Sequence, residues 1–134
     1  MNREILFRGK RVDNGKWVVG CLIQAYENTD YWLIMSTVAF RVIPETVGQY
    51  TGLTDKNGNK IFEGDILVFS EAECPETEHA IVVYDDGGYK LKYLNYDYMD
   101  NLDSEMALLQ VVIGNIHDNP ELLEVKDEKH EKAD

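Results

Sequence analysis

Between Val47 and Phe69, turn signals and strand signals are packed more densely than anywhere else in the chain, and that stretch leaves few folds open. Asn57-Gly58 is the dipeptide that most readily takes positive φ at both central positions of a hairpin turn. Gly64-Asp65 then leads straight into the apolar run Ile66, Leu67, Val68, Phe69. The pattern predicts a tight turn feeding a buried strand.

The rest of the chain carries the same kind of signal. Ile5, Leu6 and Phe7, the turn Asp13-Asn14-Gly15 and the run Trp17 to Ile23 read as a hairpin. Tyr31 to Met35 follows the polar turn Glu27 to Asp30, and Val38 to Ile43 ends at Pro44, so residues 1–43 read as about four short strands. Trp17 and Trp32 read as packing anchors. Ala80 to Tyr84, Asp85-Asp86-Gly87-Gly88 and Tyr89 to Leu94 form a second hairpin, with Tyr89, Leu91 and Tyr93 on one face and Lys90 and Lys92 on the other. Ser70 to Glu78, broken by Pro75, reads as an exposed loop. Over 95–109, Met99, Leu102, Met106 and Leu109 recur at helical spacing, which leaves a short helix and an irregular excursion both open. Val111 to Ile113 resume the strand pattern, and Asn119-Pro120-Glu121 reads as a capped helical turn. The chain is thus expected to be mainly β with a short C-terminal helical turn.

The 134 residues are 44% hydrophobic, enough for the core of one domain or of a main domain with a smaller appendage. No apolar run approaches the roughly 20 residues of a membrane span, and Met1 to Lys10 lacks a signal-peptide core, so the expected location is the cytoplasm. Cys21 and Cys74 stand too far apart in sequence to suggest a zinc motif or a disulfide framework, and are expected to be buried or half-buried free thiols. Residues 1–66 carry eight Lys/Arg and eight Asp/Glu; residues 67–134 carry five against seventeen, so the entire net charge of −12 lies in the second half. Phosphate backbones would be repelled by that half, and direct nucleic-acid binding is not expected.

The sequence displays no catalytic or metal set, and no cofactor is expected. Asp55-Lys56-Asn57-Gly58-Asn59 alternates oxygen ligands, but counted from Asp55 the sixth residue is Lys60 and the twelfth Ile66, where a calcium loop needs glycine and glutamate. Gly48, Gly52, Gly58 and Gly64 give neither a dinucleotide fingerprint nor a Walker loop. His79 and His117, both expected on strands, and His130 in the tail have no partners at catalytic or metal-binding spacing. Glu63 and Asp65 read as closing a turn. Tyr84, Tyr89, Tyr93, Tyr96 and Tyr98 are concentrated within fifteen residues. Rigid amphipathic rings of this kind suit an interaction face, although tyrosine also favours half-buried strands for packing alone.

Gln49 to Gly58, then Ile61 to Ile66, resemble the YopX protein family of phages and prophages. Ile5 to Lys10, Tyr84 to Tyr89, and Val112 to Leu123 follow in the family's order. The signature positions are Tyr50, Gly52, Asp55, Asn57, Gly58, Glu63, Gly64, Asp65, Gly114, Asn115, Asn119 and Pro120. The resemblance implies a smaller N-terminal β section, over 1–45, and an SH3-like small β-barrel over 46–124; separately, the polar composition of the acidic tail over 125–134 predicts disorder. It carries no catalytic residues over. The expected function is a non-catalytic protein-interaction module acting in a bacterial host cell on a protein partner, with self-association open. The alternatives are an acidic decoy that imitates nucleic acid towards a basic protein, and an unrecognised enzyme.

Overall fold

The computed structural model describes residues 4–24 and 31–124. The turn expected at Glu27 to Asp30, His130 and the tail over 125–134 lie outside the described residues. The chain is mainly β, and it divides into two compact units at Gly52/Leu53.

In the first unit β1 (Phe7–Lys10), β2 (Trp17–Gln24), β3 (Trp32–Met35), β4 (Ala39–Val42) and most of β5 (Gly48–Thr54, whose last two residues lie past the division) pair antiparallel in the order β4-β3-β2-β1-β5. Asp13-Asn14-Gly15 makes the expected turn: Lys16 N–H donates to the Asn14 side chain at 2.9 Å, and Gly15 N–H returns to the Arg11 carbonyl. Ile34 and Val42 are fully buried, and both pack over Gly9. Trp17 sits half-buried on the opposite face, beneath the Arg8 guanidinium (4.7 Å) and the Lys10 ammonium (5.5 Å). Cys21 is exposed, as is Cys74 in the second unit, so the expected buried or half-buried thiols are not found. At Cys21 the strand alternation sets it outward.

The second unit contains β6 (Lys60–Phe62), β7 (Asp65–Phe69), β8 (Ala80–Asp85), β9 (Gly88–Tyr93), β10 (Met99–Asn101) and β11 (Gln110–Asn115). Five of these strands form an antiparallel sheet in the order β10-β9-β8-β7-β11. Strand β7 lies between β8 and β11, and Asp65 through Val68 are all buried. Alternate residues of β8 and β9 turn inward, where Ala80, Val82 and Leu91 join Ile61, Leu67, Leu102 and Ala107 in the core. The segment over 95–109 resolves into β10 followed by a one-turn helix α1 (Ser104–Ala107), whose first turn is capped by Asp103 accepting from Met106 N–H at 2.8 Å. Its helical spacing of apolar residues has little to pack on: Leu102 is buried, but Met99 and Leu109 are exposed.

The turn after β5 decides how this sheet ends. Gly58 alone takes positive φ (83°), whereas Asn57 does not, so the both-positive geometry expected of Asn57-Gly58 is absent there. It occurs instead at Asp86-Gly87 (49° and 81°), the two-residue loop joining β8 to β9. At 55–59 the Asp55 side chain does what a second left-handed residue would otherwise do. Its Oδ1 accepts from Asn57 N–H (2.9 Å) and Asn59 N–H (2.8 Å). Its Oδ2 accepts from Val112 N–H (2.9 Å) and from the Asn59 carboxamide (3.3 Å). Lys56 N–H donates to the Gln110 carbonyl at 3.0 Å. The turn therefore occupies the edge of β11 that faces away from β7, and with that edge taken β11 cannot pair with β10. The expected barrel is consequently not closed among the described residues.

Asp55 is 1% exposed. Burial raises its pKa, but the N–H donors of Val112, Asn59 and Asn57 outweigh burial and hold the carboxyl below its ordinary 3.8. A lowered pKa favours the folded state above that value, and the benefit is lost as pH falls through the folded pKa. Asp55→Asn turns an amide donor towards N–H groups that need an acceptor, and should cost about 1–3 kcal/mol at neutral pH. The gap from the unaltered chain should close as the medium is acidified below about pH 4 in chemical denaturation; a gap that does not vary with pH contradicts the assignment. Gly58→Val forces a β-branched residue into a left-handed conformation in open space, and should lower the melting temperature through about 1–2 kcal/mol of strain. An unaltered melting temperature would show that the turn is wrongly described.

Candidate functional site

The signature residues are taken up by the backbone. Tyr50 is buried and its N–H donates to the Leu6 carbonyl at 2.8 Å, while Gly52 takes φ 87° near the end of β5. Glu63 and Gly64 form the turn between β6 and β7, with Gly64 at φ 88° and Asp65 closing it by accepting Phe62 N–H at 2.8 Å. Gly64 N–H donates to Val82 and its carbonyl accepts from Ile116, so the turn is held from both sides.

Gly114 to Pro120 are equally self-contained. A bulge interrupts the β11–β7 register between Val112 and Gly114. A Cβ at Gly114 would run into the Asn119 carboxamide, which accepts Asn115 N–H at 3.1 Å. The Asn115 carboxamide oxygen in turn accepts His117 N–H (3.0 Å) and Asp118 N–H (2.9 Å). Asn119 thus binds backward to β11 and makes no side-chain cap for the 3-10 turn Pro120–Leu123 that it precedes. His79 and His117 lie just outside the strands, in the approach to β8 and the turn after β11. His79 Nδ1 meets the Leu122 carbonyl at 3.1 Å, which ties the 3-10 turn to the start of β8. Among the described residues no group of three His, Cys, Asp or Glu could hold a metal ion.

The five tyrosines differ by their place along and beyond the β8–β9 hairpin. Tyr89 and Tyr93 share the inward face with Leu91 and pack half-buried against the core. Tyr84, directly opposite Tyr89, is 58% exposed and meets that ring edge-on at 5.3 Å. Tyr96 (43%) and Tyr98 (57%) project from the segment between β9 and β10 and lean on Tyr93, with ring centroids 6.1 and 5.3 Å away. Tyr84, Tyr96 and Tyr98, together with Val83, Asp85, Lys92, Asp97 and Met99, line a groove of about 450 Å³. Period-two reading of β9 separates Tyr89 and Tyr93 from the lysines. It could not place Tyr96 and Tyr98, which lie outside any strand and are set by ring contacts and two hydrogen bonds. Tyr93 Oη donates to Asp100 (2.7 Å), and Tyr96 Oη donates to Glu78 (2.8 Å).

Burial first, then the Asp100 carboxylate, pushes the Tyr93 phenol well above its ordinary 10.0. The neutral phenol favours the folded state below that ordinary value, and this support is lost as pH climbs through the folded pKa. Ultraviolet titration should therefore find the same number of phenolates in the unaltered chain and in Tyr93→Phe up to about pH 11. One extra phenolate in the unaltered chain would show that Tyr93 is an ordinary tyrosine.

Comparison with known proteins agrees with a signature spread along the whole chain. No curated protein matches it. Among solved structures, the chain is similar to the crystal structure of protein EF1440 from Enterococcus faecalis, at 27% identity and a TM-score of 0.57, over 92% of this chain and 100% of that one. Residues 6–124 match the family described as YopX protein, a span that includes both the Asp55 turn and the Asn115–Asn119 loop. The chain belongs to the YopX protein family.

Proposed function

We propose that the chain is a non-catalytic β module, phage- or prophage-borne, that acts in the cytoplasm of a bacterial cell by contacting another protein through the groove around Tyr84, Tyr96 and Tyr98. The observation that carries this reading is the convergence of three exposed tyrosine rings on one concave surface while the signature residues are engaged in turns. Tyrosine supplies large contact area at little entropic cost. The second unit's strand order, with a helical turn between β10 and β11, supports an SH3-like arrangement, a scaffold used mostly for recognition, although a fold alone does not fix a function.

Affinity capture from lysogenic or infected cells tests the reading with Tyr84→Ser/Tyr98→Ser, which alters the groove but neither the core nor the net charge. A specific partner should be retained by the unaltered chain and lost by the variant; equal retention removes the proposed face. The concentration of negative charge in the second half supports a second reading, a decoy for the nucleic-acid site of a basic protein. In that case DNA should compete for the captured partner and binding should fall steeply with salt. Salt-insensitive binding ends the decoy reading.

A further inference from the structure

Tyr96 lines two grooves of the second unit. Besides the one shared with Tyr84 and Tyr98, it borders a second of about 410 Å³ formed with Phe69, Glu71, Glu73, Thr77 and Glu78. The two grooves share Tyr96, and the charged groups of their linings are five carboxylates, Asp85, Asp97, Glu71, Glu73 and Glu78, against a single cation, Lys92. Lys90, the other lysine of β9, is tied to Asn101 at 2.6 Å. The hydrogen bond from Tyr96 to Glu78 fixes the ring that borders both grooves.

We infer that this double groove receives a Lys/Arg-rich segment of a partner protein, an identification that rests on the interaction-module reading and adds the partner's chemistry. Chemical complementarity identifies the occupant. Exposed tyrosine faces attract ammonium and guanidinium groups through the ring quadrupole, and carboxylates beside them attract the same groups by charge. An anionic segment would be repelled by the five carboxylates, and a purely apolar one would leave them without a partner. The segment would lie extended, with cations over Tyr84 and Tyr98 in the first groove and others facing Glu71 and Glu73 in the second. Lys92 is the misplaced charge in this surface, and it gives the inference a sign: its removal strengthens binding.

The probe is a fluorescent peptide of alternating arginine and glycine, with a control in which citrulline replaces every arginine, measured by anisotropy against the full chain. The arginine peptide should bind about tenfold or more tightly than the citrulline peptide and weaken with salt. Tyr84→Ser/Tyr98→Ser should weaken it about fivefold or more at unchanged net charge, with circular dichroism confirming that the variant is folded. Lys92→Ala should tighten binding. Glu105→Gln/Glu124→Gln, which removes two charges outside the grooves, should leave affinity within about twofold.

Equal binding of the two peptides overturns the inference. So does a loss in the Glu105/Glu124 variant as large as that in the tyrosine pair, which would mean diffuse attraction to an acidic protein. If the arginine peptide is refused but the tyrosine pair still loses the captured partner, this inference falls while the interaction reading stands. Retention of the captured partner by the tyrosine pair brings down the reading itself.

Discussion

One carboxylate does the work of a missing strand. Strand β11 forms an end of its sheet, and its outward Gln110 carbonyl and Val112 N–H would be left to water or to another chain if nothing covered them. Asp55 and Lys56 cover both, the first with a side-chain oxygen and the second with its amide. The same carboxylate also accepts the amides of Asn57 and Asn59, so the turn and the sheet edge are fixed by a single buried group. Aspartate suits that position because both oxygens accept and neither donates; an amide of the same shape satisfies only part of the set. Burying a charge is unfavourable on its own, and here four N–H donors offset the loss of water.

The second motif solves a related problem without a charge. After the bulge at Val112/Gly114 the chain must leave the sheet and turn back, and the amides of Asn115, His117 and Asp118 need acceptors there. Asn119 serves the first and Asn115 the other two, in a loop that admits no Cβ at Gly114. The most recognisable residues of the chain are thus explained by hydrogen-bond accounting. Their hydrogen-bonding groups are largely engaged within the fold, and under the proposed reading the contact surface would lie elsewhere, around Tyr84, Tyr96 and Tyr98.

How much of this the sequence carried depended on range. The strands, the β8–β9 hairpin and the inward parity of Leu91 follow from alternation and turn dipeptides, which are local. The closed barrel was inferred from likeness, and what leaves the sheet open is a contact between Asp55 and Val112, 57 positions apart, which no local pattern contains. The same holds at smaller scale. Asn57-Gly58 has the composition of a two-residue turn, but the geometry changes once Asp55 supplies side-chain acceptors. Asn119-Pro120 has the composition of a helix cap, but Asn119 is drawn backward by the bulge. Of the five tyrosines, the two on β9 could be assigned a face by counting, whereas Tyr96 and Tyr98 required the contacts with Tyr93 that only the folded chain makes.

The tyrosines and the carboxylates around them act over different distances, and that difference bears on what the surface can discriminate. At physiological salt a charge is felt over about 8 Å, so under the proposed reading the carboxylates of the second unit would chiefly raise the frequency of encounter with a cationic partner. Ring faces act only at contact. Tyr96 is held by Glu78 and by two neighbouring rings, so its orientation is set before encounter and little ordering entropy remains to be lost. A surface built this way would draw many basic chains near and keep those whose cations fall at the spacing of the rings. Selectivity would therefore reside in Tyr84, Tyr96 and Tyr98, and the acidic excess around them would set the rate of arrival.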